Sequence, residues 1–339
     1  MSETKEHETA EEYKARIEKE VIKGLKNAQR VNEERWNKAA QKFAEHTTYR
    51  DTSGFGKPSC PHTDETPTLI IGDIHSNFAK DRSRIEKAIE GKQPHKIVFL
   101  GDYVDTRDQS PFDPEDAEIL MKDLELFVDW IKKLDLPHVC LCGNHDWGYL
   151  SNGEFPTGQT IQPKDGYDIP EGFVEEVSKL LLELKLQLCE IVFNKRSLYM
   201  CSHAGFCGKW LKLNNLFNEE TRNKNFYAND PAYAEDIYRT VNKMFEYLLE
   251  NRKIAHPNVI EFCGRKRGGW DVCSGPLWCD RQELMNDYPN CFNQIVGHTK
   301  SMGNCDLFLH NRNKRELWSI DTSSNSKIGK CGILSTDEL

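Results

Sequence analysis

An α/β protein of stacked β-sheets flanked by α-helices, with a helical N-terminal extension, is the architecture this chain predicts. Two observations lead there. Short apolar runs alternate with stretches of helical periodicity, and more apolar runs follow. Five of those runs stop at Gly or Ser directly before a residue able to bind a metal, the place where open α/β sheets gather their sites.

Residues 1–50 are rich in charge and lack proline, while Ile17, Val21, Leu25, Ala28, Trp36, Ala39 and Phe43 recur three, four or eight positions apart. They predict an amphipathic helix docked on the body of the protein, with a protein partner as its other use. Gly, Pro, Ser and Thr then mark a linker over 51–67. The core domain is expected over 68–325, followed by a tail, 326–339. Within the core, TLII (68–71) and KIVFL (96–100) read as strands around a helix over 79–90. Asp113 and Pro114 read as the cap and first turn of a helix whose buried face is Leu120, Leu124, Phe127, Val128, Ile131 and Leu134. HVCLC (138–142) is the next strand, and an exposed Gly- and Pro-containing loop follows over 152–170. A helix near 171–188 precedes strands at 190–193, 197–202, 293–296, 306–310 and 316–320.

Composition narrows the function. With 38% apolar and 29% charged residues, the 339-residue chain can bury a substantial core. A net charge of -9 argues against broad non-specific nucleic-acid binding. The start, MSETKEHETAEEYK, is no secretory signal, no run is long enough for a membrane span, and the final TDEL reads as chance. Twelve cysteines without a CxxC pair suit a reduced, cytoplasmic protein.

The polar residues at the five strand ends are Asp73 with His75, Asp102, Asn144 with His145, His203, and His298. Any one of them alone would be a turn or a structural histidine. Together they form a metal-binding set, because carboxylates bridge cations, imidazoles suit transition metals and an amide carbonyl adds a neutral hard ligand. Paired ions can acidify a bound water and clamp a phosphoryl group, and the bridging task falls to Asp102.

GDIHSN, GDYVD, GNHD, SHAG and VGHT, in that order between Leu69 and Thr299, resemble the five blocks of the calcineurin-like metallophosphoesterases. The resemblance implies that family's stacked-sheet fold and two divalent ions, with Mn, Fe and Zn all compatible with the donors. Asp73, His75 and Asp102 would hold the first ion; Asp102, Asn144, His203 and His298 the second. Many members end in GHxH, whose second histidine serves the first ion, whereas this chain has GHTK. That departure, with HAG and GPLW (275–278), resembles the branch of protein serine/threonine phosphatases, bacterial Shewanella-like phosphatases and diadenosine tetraphosphatases. There the residue matching Asp105 holds the one matching His145, implying His145 as general acid, direct attack by a metal-bridging hydroxide and no phosphoenzyme.

The branch normally follows GDxVD with an arginine that grips phosphate, but Thr106 stands there and Arg107 comes one position later. The other candidates for that grip are Arg265 and Arg267 in GRKRGG (264–269), and Arg281 after GPLWCD. Ser76 and the final aspartate of GNHD also depart from the protein-phosphatase pattern. A phosphomonoesterase acting on a phosphoprotein or a small phosphoester is the first expectation. The alternative is a phosphodiesterase, nuclease or dinucleoside polyphosphate hydrolase, with GRKRGG and Trp270 lining a strand-binding groove; nucleic acid is the less favoured partner. A third class, a non-catalytic binding module acting through the N-terminal helix, conflicts with the full set of ligands.

Overall fold

A computed structural model describes residues 66–105, 113–151, 171–194, 197–214, 216, 231–251, 260, 262–269, 271–289, 291–301, 305–310, 315–322 and 330–339. The helix expected over 1–50, most of the linker, the loop 152–170, Arg107 and Trp270 lie outside them.

The described elements run β1 (Thr68–Ile71), α1 (Phe78–Lys92), β2 (Lys96–Phe99), α2 (Pro114–Lys133), β3 (His138–Cys140), α3 (Asn144–Leu150), α4 (Phe173–Glu183), β4 (Cys189–Phe193), β5 (Leu198–Ser202), α5 (Gly208–Leu213), α6 (Pro231–Glu250), α7 (Arg281–Asn286), β6 (Asn293–Lys300), β7 (Asp306–His310), β8 (Arg315–Asp321) and β9 (Ile333–Ser335). Two mixed sheets result, ordered β3-β2-β1-β9 and β4-β5-β6-β8-β7. In the first, β1, β2 and β3 are parallel and β9 is antiparallel to β1. In the second, β5, β6 and β8 are parallel, with β4 and β7 antiparallel at the edges.

Strand alternation shows how the layers stack. Val98 and Leu100 join Ile70, Leu141, Tyr199, Cys201, Ile295 and Ile320 in one buried cluster between the sheets. Phe99, pointing the other way, meets Phe127 and Trp130 of α2, and Phe78 of α1 packs on the same two rings. This is why Ile97 to Leu100 are all apolar after Lys96: both faces of the strand are covered. Asp113 caps α2 as its sequence predicts, accepting from the Glu115 and Asp116 amides. Asp123 of α2 caps α1 in turn, accepting from the Phe78 and Ala79 amides at 2.8 Å each.

Three features depart from expectation. The tail placed at 326–339 is not separate, since β9 pairs with β1 and the Thr68 amide donates to the Thr336 hydroxyl. Helix α6 was not anticipated, although Ala234, Ile237, Val241 and Phe245 bury one face at helical spacing; its Asn242 satisfies the backbone of Leu188 and Cys189. Strand β6 does not stop at Val296 but continues to Lys300 through a register shift, so His298 sits in an irregular stretch of strand. No helix among the described residues is long and apolar enough to cross a membrane.

Candidate metal centre

All six predicted ligands converge where the parallel strands of both sheets end. Asp73 and His75 follow β1, Asp102 follows β2, Asn144 opens α3 just beyond β3, His203 follows β5, and His298 lies in β6. The loops that carry them are unusually bent. His75, Asp102, Asp105 and His298 all have φ between 48° and 62°, a region ordinary residues visit rarely, and such strain gathers at functional sites. Two glycines permit the close approach: a Cβ on Gly143 would overlap Asp102 Oδ1, and one on Gly297 would overlap Asp73 Oδ1.

Asp102 occupies the middle. Its Oδ2 lies 3.7 Å from His75 Nε2 and 3.4 Å from His203 Nε2, while its Oδ1 accepts from the His145 amide at 3.0 Å. His203 Nε2 also stands 2.9 Å from Asn144 Oδ1 and 3.2 Å from His298 Nδ1. The Nδ1 atoms of His75 and His203 meet the carbonyls of Asp105 and Leu100 at 3.0 and 2.9 Å. Since a carbonyl only accepts, each Nδ1 carries the proton and each Nε2 offers a lone pair to the centre.

Protonation divides the four histidines. Burial pushes His203 down to about 3, and burial with the neighbouring His145 takes His75 to about 4. Burial and the Arg267 charge hold His298 well below the ordinary range. Burial also opposes the charge on His145, but Asp102 and the hydrogen-bonded Asp105 overcome it and raise His145 to about 9. Its Nδ1 lies 3.0 Å from Asp105 Oδ2, and Asp105 Oδ1 accepts from Tyr149 at 2.5 Å. Distances alone would admit His145 beside His75 and Asp102 as a ligand. The charge that Asp102 and Asp105 favour on His145 suits it to proton transfer rather than to giving a lone pair.

The carboxylates fit cations. Burial and the charges of Asp321 and Asp102 raise Asp73 well above its usual range, and burial lifts Asp102 to about 8. Asp73 Oδ1 and His298 Nε2 are buried without a hydrogen-bond partner. Acidic groups crowded in this way are neutralised by protons or by a cation among them, and the donors around them suit a cation. Donor atoms of Asp102, His203 and His298 lie within 4.8 Å of one another, as do those of Asp73, His75 and Asp321.

Sequence reasoning missed three supporting residues. Asp146, fully buried, accepts from the amides of Asp102, Tyr103 and Gly143 at 2.8 to 2.9 Å and so pins the GDYVD and GNHD loops together. The signal was its place in GNHD. Trp278 of GPLW packs edge-on to His298, centroids 5.9 Å apart. Asp321 ends β8, and the run ELWSI stopping before a carboxylate repeats the pattern of the other strand ends.

The basic candidates separate. Arg267 reaches the rim of the centre, donating to the His298 carbonyl and the Thr299 hydroxyl and pairing with Asp280 at 3.2 Å. The Arg281 guanidinium is 4.6 Å above the Phe308 ring, bonded to the Lys300 carbonyl and 3.6 Å from Asp306. Arg265 is exposed on a short 3-10 turn.

The family model for calcineurin-like phosphoesterases matches residues 66–259, more than half of the chain. No curated protein matches by sequence. Among solved structures, the cold-active protein-tyrosine phosphatase of a psychrophilic Shewanella species shares 14% identity over 80% of this chain and 75% of its own, with a TM-score of 0.43. A protein serine/threonine phosphatase from Saccharomyces cerevisiae shares 15% over 76% and 68%, with a TM-score of 0.34. A protein described as a diadenosine tetraphosphatase shares 16% over 77% and 84%, with a TM-score of 0.33. At such identities and overlaps, none of their substrates transfers to this chain.

Proposed function

Because the chain belongs to the calcineurin-like phosphoesterase family, we propose that it is a dinuclear metal-dependent phosphomonoesterase of protein-phosphatase type. The observation that carries this reading is Asp102 standing between His75 and His203, with His145 alongside and held through its Nδ1 by Asp105. Asp73, His75 and Asp102 would hold one divalent ion; Asp102, Asn144, His203 and His298 the other. When bound, the pair supplies a water that ionises near neutral pH and neutralises charge on the phosphoryl group.

The protein's own share follows from its contacts. Asp105, fixed by Tyr149, holds His145 through Nδ1 and leaves Nε2 carrying a proton toward the centre. That proton goes to the departing alkoxide, whose loss is otherwise the difficult step. His145 recovers a proton from solvent. Arg267, at the rim beside His298, is the described arginine best placed to meet a phosphate oxygen. A reducing, cytoplasmic setting accords with eleven free cysteines among the described residues.

A screen of the Mn2+-reconstituted enzyme tests the reading. An aryl phosphomonoester and a phosphopeptide should both be hydrolysed, and faster than a bis-ester, a dinucleoside polyphosphate or RNA. Faster turnover of any of the last three would transfer the activity to the phosphodiesterase alternative. Trapping of a covalent phosphoprotein would overturn direct attack by water.

A further inference from the structure

One carboxylate at the centre has no counterpart in the expected ligand set. Asp321 is buried at the end of β8, and one of its oxygens lies within 4.8 Å of donor atoms on both Asp73 and His75. Its Cα partner across the sheet is Lys300, the residue standing where GHxH would carry its second histidine. The neighbouring strand therefore brings a carboxylate to the side of the centre where GHTK leaves a donor missing.

We propose that Asp321 is the fourth protein donor of the first ion, replacing from β8 the histidine that β6 lacks. The inference rests on the dinuclear reading above. It makes the two ion positions chemically unlike. The first has the carboxylates of Asp73, Asp102 and Asp321 with one imidazole, a hard and strongly anionic set. The second has two imidazoles, the Asn144 carbonyl and a share of Asp102, a softer and nearly neutral one. Carboxylate-rich sites suit Mn2+ and imidazole-rich sites suit Zn2+, so the first position should prefer Mn2+ and the second should accept Zn2+ readily.

The test titrates Mn2+ into metal-free full-length chain, wild type beside Asp321→Asn and Asp321→Glu, with bound metal measured after dialysis and by electron paramagnetic resonance. Wild type should bind two ions and show a spin-coupled signal. Asp321→Asn should keep one ion, lose at least about 10-fold in affinity for the other, and show the six-line spectrum of isolated Mn2+. Asp321→Glu should still bind both ions. Thermal unfolding of the metal-free proteins separates a ligand from a structural group. Removing one of several crowded carboxylates should leave the metal-free fold as stable or more so, whereas a structural role would lower its melting temperature and spare the ion affinity. Two ions bound by Asp321→Asn with unchanged affinity would overturn the assignment of Asp321 alone. A wild-type chain that binds no ion would overturn the centre itself and Asp321 with it.

Discussion

The two sheets build their halves of the centre by different means. On the first sheet the donors ride on the segments just past β1, β2 and β3; the loops past β1 and β2 carry left-handed residues, and the buried Asp146 takes three backbone amides to tie the segments past β2 and β3 together. On the second sheet His203 leaves β5 directly and His298 sits inside β6, in the shifted register. These two histidines are steadied largely from across the gap: His203 donates to the Leu100 carbonyl, and the His298 amide donates to Asp73. The first half is thus self-supporting, and the second takes its orientation from the first. A change on the first sheet should damage both ion positions; a change at the rim of the second should stay local.

Asp102→Asn is the severest break, since that carboxylate touches both halves. Bound metal should fall well below that of wild type and turnover should disappear, as read by metal analysis beside a phosphatase assay. His145→Ala should keep its ions and lose about 10²–10⁴-fold in kcat, with the greater loss on substrates whose leaving groups are poor. Equal metal loss in both variants would refute this division of labour. Asp105→Asn sharpens it further. Asp105 raises His145, so losing its charge lowers the pKa at which His145 gives up its proton. The basic limb of the pH-rate profile should move to lower pH by about one to two units, the worth of one charge-assisted hydrogen bond. On the second half, Arg267→Ala should raise KM by about 10-fold, the lower end of a hydrogen bond to a charged group, and leave kcat and metal content unchanged. Asp113→Ala lies outside both halves. It should cost roughly 1 kcal/mol in a denaturant titration and leave the kinetics alone.

How much of this was legible in the sequence depends on how local each signal is. Asp73, Asp102 and His203 each announce themselves by an apolar run that stops, because a buried strand and its polar end are adjacent in the chain. The Asp113 cap is legible for the same reason. Asp321 carries that signal too, since the strand run ELWSI stops directly before it. Arg281 stood out by its position after GPLW, yet Phe308 and Asp306, two strands of sequence away, claim its guanidinium. Nothing near Arg267 says that it meets the backbone of His298. Such pairings are decided by packing between distant segments, and a linear pattern does not contain them.

Strand β9 sets a timetable for biosynthesis. Leu69 pairs with Ser335, so the outer edge of β1, the strand that delivers Asp73 and His75, remains unpaired until the chain has been extended by 266 residues. At about 5–20 residues per second, that edge waits on the order of 15–50 s on a translating ribosome. An apolar, two-faced strand with an open edge is a template for pairing with other chains. Assembly of the centre is therefore a late event, and chains cut before residue 333 would keep their metal-binding motifs while presenting that edge to one another.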